Sequence, residues 1–179
     1  MDVQIIPATS EDRPTLRNLL QLYLHDFSEV LPRAPDRDGT FPYPHLDAYW
    51  IDDWRKPFLI TADGEVAGFA FVRTQSVVTG ADGIADMAEF FVVRGLRRHG
   101  AGRAAARLLF ARFPGTWEVR VIEHYAAARA FWAAAIEQAA QSPPEQSNWV
   151  NEHGVRFEVF RFDTARAEQW RGTPHARTT

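Results

Sequence analysis

Cysteine is absent from the 179 residues. That excludes disulfides, thiolate metal ligation and a cysteine nucleophile. Long apolar runs are missing too, none approaching the ~20 residues of a membrane span. The N-terminal "MDVQIIPATSEDRP" is polar and acidic early, unlike a secretory signal. A soluble, cytoplasmic protein without a membrane partner is the expectation. There is no basic surplus: the net charge is −3, which argues against a nucleic-acid partner. No internal repeat is visible. His45, His99 and His153 are scattered without ligand spacing, so no metal is expected. No serine–histidine–acid arrangement stands out.

What is present suits one domain with a real core. Apolar residues make up 46% of the chain, at a length that can bury them. "VQIIPA" reads as a first strand. Ser10 then caps a helix whose Leu16, Leu19, Leu20, Tyr23, Leu24 and Phe27 fall at helical spacing. "LPRAPDRDGTFPYP" is a loop, and "HLDAYWIDDW" a short second helix. "KPFLITADGEVAGFAFVRTQ" is a hairpin turning at Asp63-Gly64. "GIADMAEFFVV" is a buried strand, followed by a helix from Ala101 to Phe113 and a strand "TWEVRVIE". "YAAARAFWAAAIEQAA" is a helix with Tyr125, Ala128, Trp132 and Ile136 inward. "SNWVNEHGVRFEVFRFD" closes as a hairpin about Glu152 to Gly154. The order β-α-α-β-β-β-α-β-α-β-β defines an α/β (α+β) fold with βαβ crossovers in its second half. One domain spans residues 1–163, and 164–179 form a polar tail.

The stretch "AEFFVVRGLRRHGAGRAAARLLFARF" carries more positive charge than a turn requires. A helix start leaves main-chain N–H groups without partners and is positive through its dipole. Phosphate fits there. Gly100 and Gly102 permit close approach of a ligand to the main chain. Arg97, Arg98 and Arg103 surround the point, with Arg107 one turn further. A solvated strand-to-helix turn is the plain alternative. The Walker pattern is absent, and a dinucleotide fingerprint would need a third glycine.

In context, Arg97-Arg98-His99-Gly100-Ala101-Gly102 matches [QR]-x-x-G-x-[GA] after the fourth strand, and Ala128-x-x-Phe131-Trp132 follows on a later helix. Here the chain resembles the GNAT superfamily of acetyl-CoA-dependent N-acetyltransferases. The second motif departs from the family at Tyr125, where asparagine is usual. The resemblance implies a mixed, mostly antiparallel central sheet of about seven strands flanked by helices. It implies that amides from Arg98 through Arg103 hold the pyrophosphate of acetyl-CoA, the acyl donor. Val92 and Val93 would pair with the pantetheine arm where the fourth and fifth strands splay apart. Arg97, His99, Tyr125, Ala128 and Phe131 complete the expected cofactor contacts.

Acetyl transfer needs a neutral amine, a donor for the developing oxyanion and a proton for the departing thiolate. Glu89, in an apolar stretch of the fourth strand, is the candidate base, because desolvation raises a carboxyl pKa. The alternative is an arginine-paired structural carboxylate. The oxyanion donor would be a main-chain N–H near Val92. Relatives place an acid tyrosine where this chain has Trp132, and indole cannot donate a catalytic proton. Tyr125 is the candidate in its place, and His124 is adjacent.

Tyr43, Tyr49, Trp50 and Trp54, beside Asp52 and Asp53, are candidates to bind a cationic amine of a small molecule or a peptide N-terminus. Core packing of Tyr49, Trp50 and Trp54 is the alternative. Two rival readings of the chain remain: an acyl-CoA-binding sensor without transfer, and a nucleotide-binding α/β protein. "VRFEVFRF" offers a strand for a homodimer.

Overall fold

The computed structural model describes residues 1–165. Seven strands form one sheet in the order β1-β2-β3-β4-β5-β7-β6. They are β1 (Val3–Pro7), β2 (Arg55–Ala62), β3 (Glu65–Gln75), β4 (Asp82–Val92), β5 (Thr116–Ile122), β6 (Glu145–Val150) and β7 (Arg156–Asp163). Every pairing is antiparallel except β4 with β5. Helix α1 (Arg13–Phe27) covers one face; α2 (Ala101–Arg112) and α3 (Ala126–Glu137) cover the other. The mixed, mostly antiparallel architecture agrees with the expectation.

Two apolar layers hold these faces together. Under α1, Leu16, Leu19 and Leu20 pack on Leu59, Phe69, Phe71 and Phe91. Under α2 and α3, Ala105, Leu109, Phe110, Trp132 and Ile136 pack on Ile60, Val72, Met87, Trp117, Val119 and Phe160. Successive residues of the central strands enter opposite layers, so β2 and β3 are buried on both faces, against period-3.6 stripes on the helices. Small alanines on α2 let its axis approach the sheet closely, and Ala101, Ala105 and Ala106 are wholly buried.

Four expectations need correction. The second helix shrinks to a one-turn 3₁₀ segment, Asp47–Trp50, since the proline-rich approach leaves too few residues for nucleation. Ser10 does not cap α1; it opens a 3₁₀ turn, and the Asp12 carboxylate accepts from the Thr9 N–H at 2.8 Å and the Thr9 hydroxyl at 3.0 Å. "VRFEVFRF" belongs to β7, whose two edges are taken by β5 and β6, so that strand cannot pair across a dimer. The assigned tail begins too early: Thr164 is buried, its N–H donating to the Gly115 carbonyl at 2.9 Å. The remainder of that tail, 166–179, lies outside the described residues.

Two irregularities shape the centre of the sheet. The β4–β5 pairing runs only from Ala85–Trp117 to Met87–Val119, after which the strands part. In β4, Phe71 faces Glu89 while Val72 faces Met87, so Ala88 is an extra residue, a bulge. Ala85 and Met87 face α2 and α3, whereas Ala88 and Phe91 face α1. The extra residue therefore reverses the alternation and turns Glu89 to the α1 face.

Candidate active site

The parting of β4 and β5 exposes one edge of β4. The Val93 N–H donates to the Ala67 carbonyl at 2.9 Å, so Val93 faces β3. Antiparallel alternation then points the main-chain groups of Val92 the other way, into the split. The Val92 carbonyl accepts from Arg97 Nε at 2.7 Å, leaving its N–H as the donor on the open edge. Of the two valines, Val92 alone presents main chain to the split.

Beyond β4 the chain makes a short 3₁₀ turn, Arg94–Leu96, and then α2. Arg98 sits at φ 63° and Gly100 at φ 91°, both left-handed, on either side of His99. Such alternation aims successive N–H groups inward, as in an anion nest. Among the described residues, none of the N–H groups of Arg98 through Arg103 meets an acceptor within hydrogen-bond geometry, whereas Ala104 already bonds the Gly100 carbonyl at 3.0 Å. No side chain caps this helix start. Arg98, His99, Gly100 and Arg103 are exposed there, while Ala101 is buried beneath them.

The glycines divide their work. Gly100 needs its positive φ, and a Cβ there would meet nothing. Gly102 gives clearance inward, since a Cβ would lie 3.3 Å from the Phe131 ring. Phe131 in turn stacks on Phe90, centroids 5.7 Å apart. Ala128 packs at the rim of the same layer. Arg97 does not point outward with Arg98. Besides Val92 it bonds Asp26 Oδ2 at 2.5 Å, tying the C-terminus of α1 to the turn. Burial works against the Asp26 charge, but Arg94 and Arg97 outweigh it and hold its carboxyl below the usual range.

On the α1 face of the split, Glu89 accepts from the Tyr23 hydroxyl at 2.5 Å and the Tyr43 hydroxyl at 3.2 Å. Burial pushes the Glu89 carboxyl up, against the opposing pull of Tyr23, Arg120, Arg73 and Tyr43. Burial first, and the Glu89 charge second, push both tyrosines up, so they remain protonated donors. Tyr23 was missed by sequence reasoning, which placed it in a helix stripe; a tyrosine among leucines was the only signal. Tyr43 reaches Glu89 from the loop before the 3₁₀ segment.

A second charged group lies alongside. Asp86, wholly buried, accepts from Arg73 Nε at 2.7 Å and from Arg120 Nε at 3.0 Å. Glu118, two residues before Arg120, is separately matched by Ser76 at 2.6 Å and Arg161 at 3.3 Å.

The remaining acceptor candidates scatter. Tyr49 stacks on Phe71 with centroids 4.1 Å apart and is buried behind Tyr43. Trp50 lies under Arg13, at 4.7 Å, and Trp54 under Arg55, at 4.2 Å. The Trp54 carbonyl bonds Thr74, three residues along β3 from the partner of Glu89. Trp50, Asp52 and Asp53 line a cavity of about 450 Å³ near Phe113, at the far end of the sheet. Trp50 and Trp54 are not brought to Glu89. Tyr125 occupies the N-cap position of α3 without a side-chain capping bond and meets Phe27 edge-on at 6.5 Å, beside the split. Trp132 is core, against Phe90 and Phe110. Among the described residues no cluster of three or more His, Cys, Asp or Glu could hold a metal, and no helix is long and apolar enough to cross a membrane.

A mixed sheet that parts beside an amide-lined basic turn is the architecture of the acetyltransferases. The profile of the Acetyltransferase (GNAT) family matches residues 16–136, and the chain belongs to that family. No curated protein matches the sequence. Among solved structures, an acetyltransferase from Thermus thermophilus is similar at TM-score 0.66 and 16% identity, over 91% of this chain and 97% of its own. A ribosomal-protein-alanine N-acetyltransferase from Brucella melitensis gives 0.58 and 17%, over 89% and 99%. A chimera of the spermidine N-acetyltransferase from Vibrio cholerae gives 0.58 and 10%, over 91% and 96%. At such identities these likenesses speak for the fold.

Proposed function

We propose that the protein transfers an acetyl group from acetyl-CoA to a primary amine of a small molecule, a peptide N-terminus being the larger alternative. The observation that carries this reading is the run of main-chain N–H groups at 98–103 without protein acceptors. Their geometry suits a diphosphate, and exposed Arg98 and Arg103 add charge complementarity. The pantetheine arm lies along the open edge of β4, with Phe90, Val92, Ala128 and Phe131 lining it. The thioester then falls near the Val92 N–H, which donates to the carbonyl oxygen as charge builds there.

Glu89 takes a proton from the acceptor ammonium, directly or through one water. The freed nitrogen pair attacks the thioester carbon, the C–S bond breaks, the nitrogen gives its second proton to solvent, and the thiolate takes a proton from Tyr125 or from solvent. Tyr23 and Tyr43 hold the carboxylate in place. Coenzyme A release across a panel of amines tests the reading. Glu89→Gln should lower turnover by about 10²–10⁴-fold at neutral pH, the range for a general base. Wild-type turnover in that variant would remove Glu89 from the chemistry.

A further inference from the structure

Arg120 stands where the sheet opens. Pairing of β4 with β5 ends at Met87–Val119, so Arg120 is the first β5 residue past the junction, as Glu89 is two past it on β4. Val119 and Val121 face α2 and α3, which puts Arg120 on the α1 face with Glu89. The two are close enough that each bears on the ionisation of Tyr23.

The guanidinium is fixed. Nε bonds Asp86 Oδ1 at 3.0 Å, Nη2 bonds Oδ2 at 3.3 Å, and the rings of Trp149 and Phe157 lie 5.6 and 5.7 Å from it. Its Nη1 makes no hydrogen bond among the described residues. Asp86 also carries Arg73, so one buried carboxylate serves two arginines. Glu118, opposite Asp86 on β5, is matched by Arg161, and Glu89 balances the second of the two arginines on Asp86: two positive charges against two negative. Once Glu89 accepts the proton of an ammonium, a positive charge is left over in a desolvated place.

We infer that the acceptor carries a carboxylate beside its amine and that Arg120 Nη1 binds it, so that the substrate class is an amino acid. This rests on the proposed transferase reading and adds the recognition of the acceptor's second group. The bound carboxylate supplies the missing negative charge at the moment Glu89 is neutralised. It also meets a guanidinium already held flat, so little ordering is lost on binding. Arg120 thus acts as a specificity-determining residue, while Asp86 and Arg73 position it.

The test is calorimetric titration of the protein, with and without coenzyme A, with the protein amino acids. Each is compared with the amine in which a methyl group replaces the carboxylate. The wild type should bind at least one amino acid about tenfold or more tighter than its amine partner, the strength of one charge-assisted hydrogen bond. In Arg120→Gln that preference should vanish while acetyl-CoA affinity stays unchanged. If Arg120→Gln does not fold, Arg120→Lys, which keeps the charge but not the fork, should weaken the preference. The wild-type comparison also stands without any variant. The inference is overturned if no amino acid binds, if none is preferred, or if the preference survives Arg120→Gln. Failure of acetyl-CoA itself to bind would instead strike the transferase reading, leaving the carboxylate comparison to be judged on the free protein.

Discussion

Tyr23 shows how one hydroxyl changes the meaning of a helical stripe. Its ring packs against Phe69 and Phe91 like any core residue, while its oxygen reaches Glu89. A donor to the charged form favours ionisation, so Tyr23 holds the Glu89 carboxyl lower than burial alone would. Removing it by Tyr23→Phe should therefore raise the Glu89 pKa. The acid limb of kcat/KM, which rises with pH as Glu89 ionises, should move to higher pH. A limb that stayed or moved down would contradict the assignment. The same desolvation has a stability consequence. The folded-state pKa is raised above the unfolded value, so the fold binds this proton more tightly. Stability relative to Glu89→Gln is then greatest below the unfolded carboxylate pKa of ~4.3. It is lost as pH rises through the folded value. Denaturant melts of the pair at acid and neutral pH should show the variant gaining on the wild type as pH rises.

At the scale of elements, the bulge at Ala88 is the device that turns Glu89 toward Tyr23 and Tyr43, and nothing in "DMAEFFVV" announces it. Sequence patterns fix strand existence through alternation, but a bulge is decided by how neighbouring strands meet. The helices and the Asp63-Gly64 hairpin were legible because periodicity and turn chemistry are local. The second helix was not, since its aromatics point to several partners rather than one stripe. Gly68 illustrates the same dependence on neighbours: a Cβ there would lie 2.0 Å from the Phe91 carbonyl oxygen. Because backbone must move, Gly68→Ala should cost about 3 kcal/mol, read by urea unfolding, and should disturb the β4 edge. An effect under about 0.5 kcal/mol, as for ordinary surface changes, would contradict this close approach. The clasp of Asp26 with Arg94 and Arg97 joins α1 to the turn. Asp26→Ala should destabilise only modestly, because Arg94 is exposed and Arg97 partly so, and should weaken acetyl-CoA binding by loosening the Arg97–Val92 bond. Unchanged affinity would limit the clasp to a role in stability.

For the whole molecule, the glycine-rich turn and Glu89 stand out in the sequence as candidates because their residue types are chemically constrained. The candidate acceptor aromatics were less legible: Trp50 lies under Arg13 and Trp54 under Arg55, away from Glu89. Tyr43, Tyr23 and Arg120 come to the surroundings of Glu89 from a loop, a helix and a strand far apart in sequence. Convergence of that kind is a property of topology, and no spacing rule encodes it. A ligand bound only by the folded form stabilises it by about 2.7 kcal/mol at a hundredfold excess over Kd. Saturating acetyl-CoA should therefore raise Tm by about 5–10 °C in a chain of this size. ATP at equal concentration should not match that shift.

The central claim concerns specific nitrogens, so amide-resolved NMR tests it most directly. Titration of ¹⁵N-labelled protein with acetyl-CoA should shift the amides of Arg98 through Arg103 most strongly, together with Val92. Shifts confined to other parts of the sheet, or none at saturating acetyl-CoA, would contradict the account.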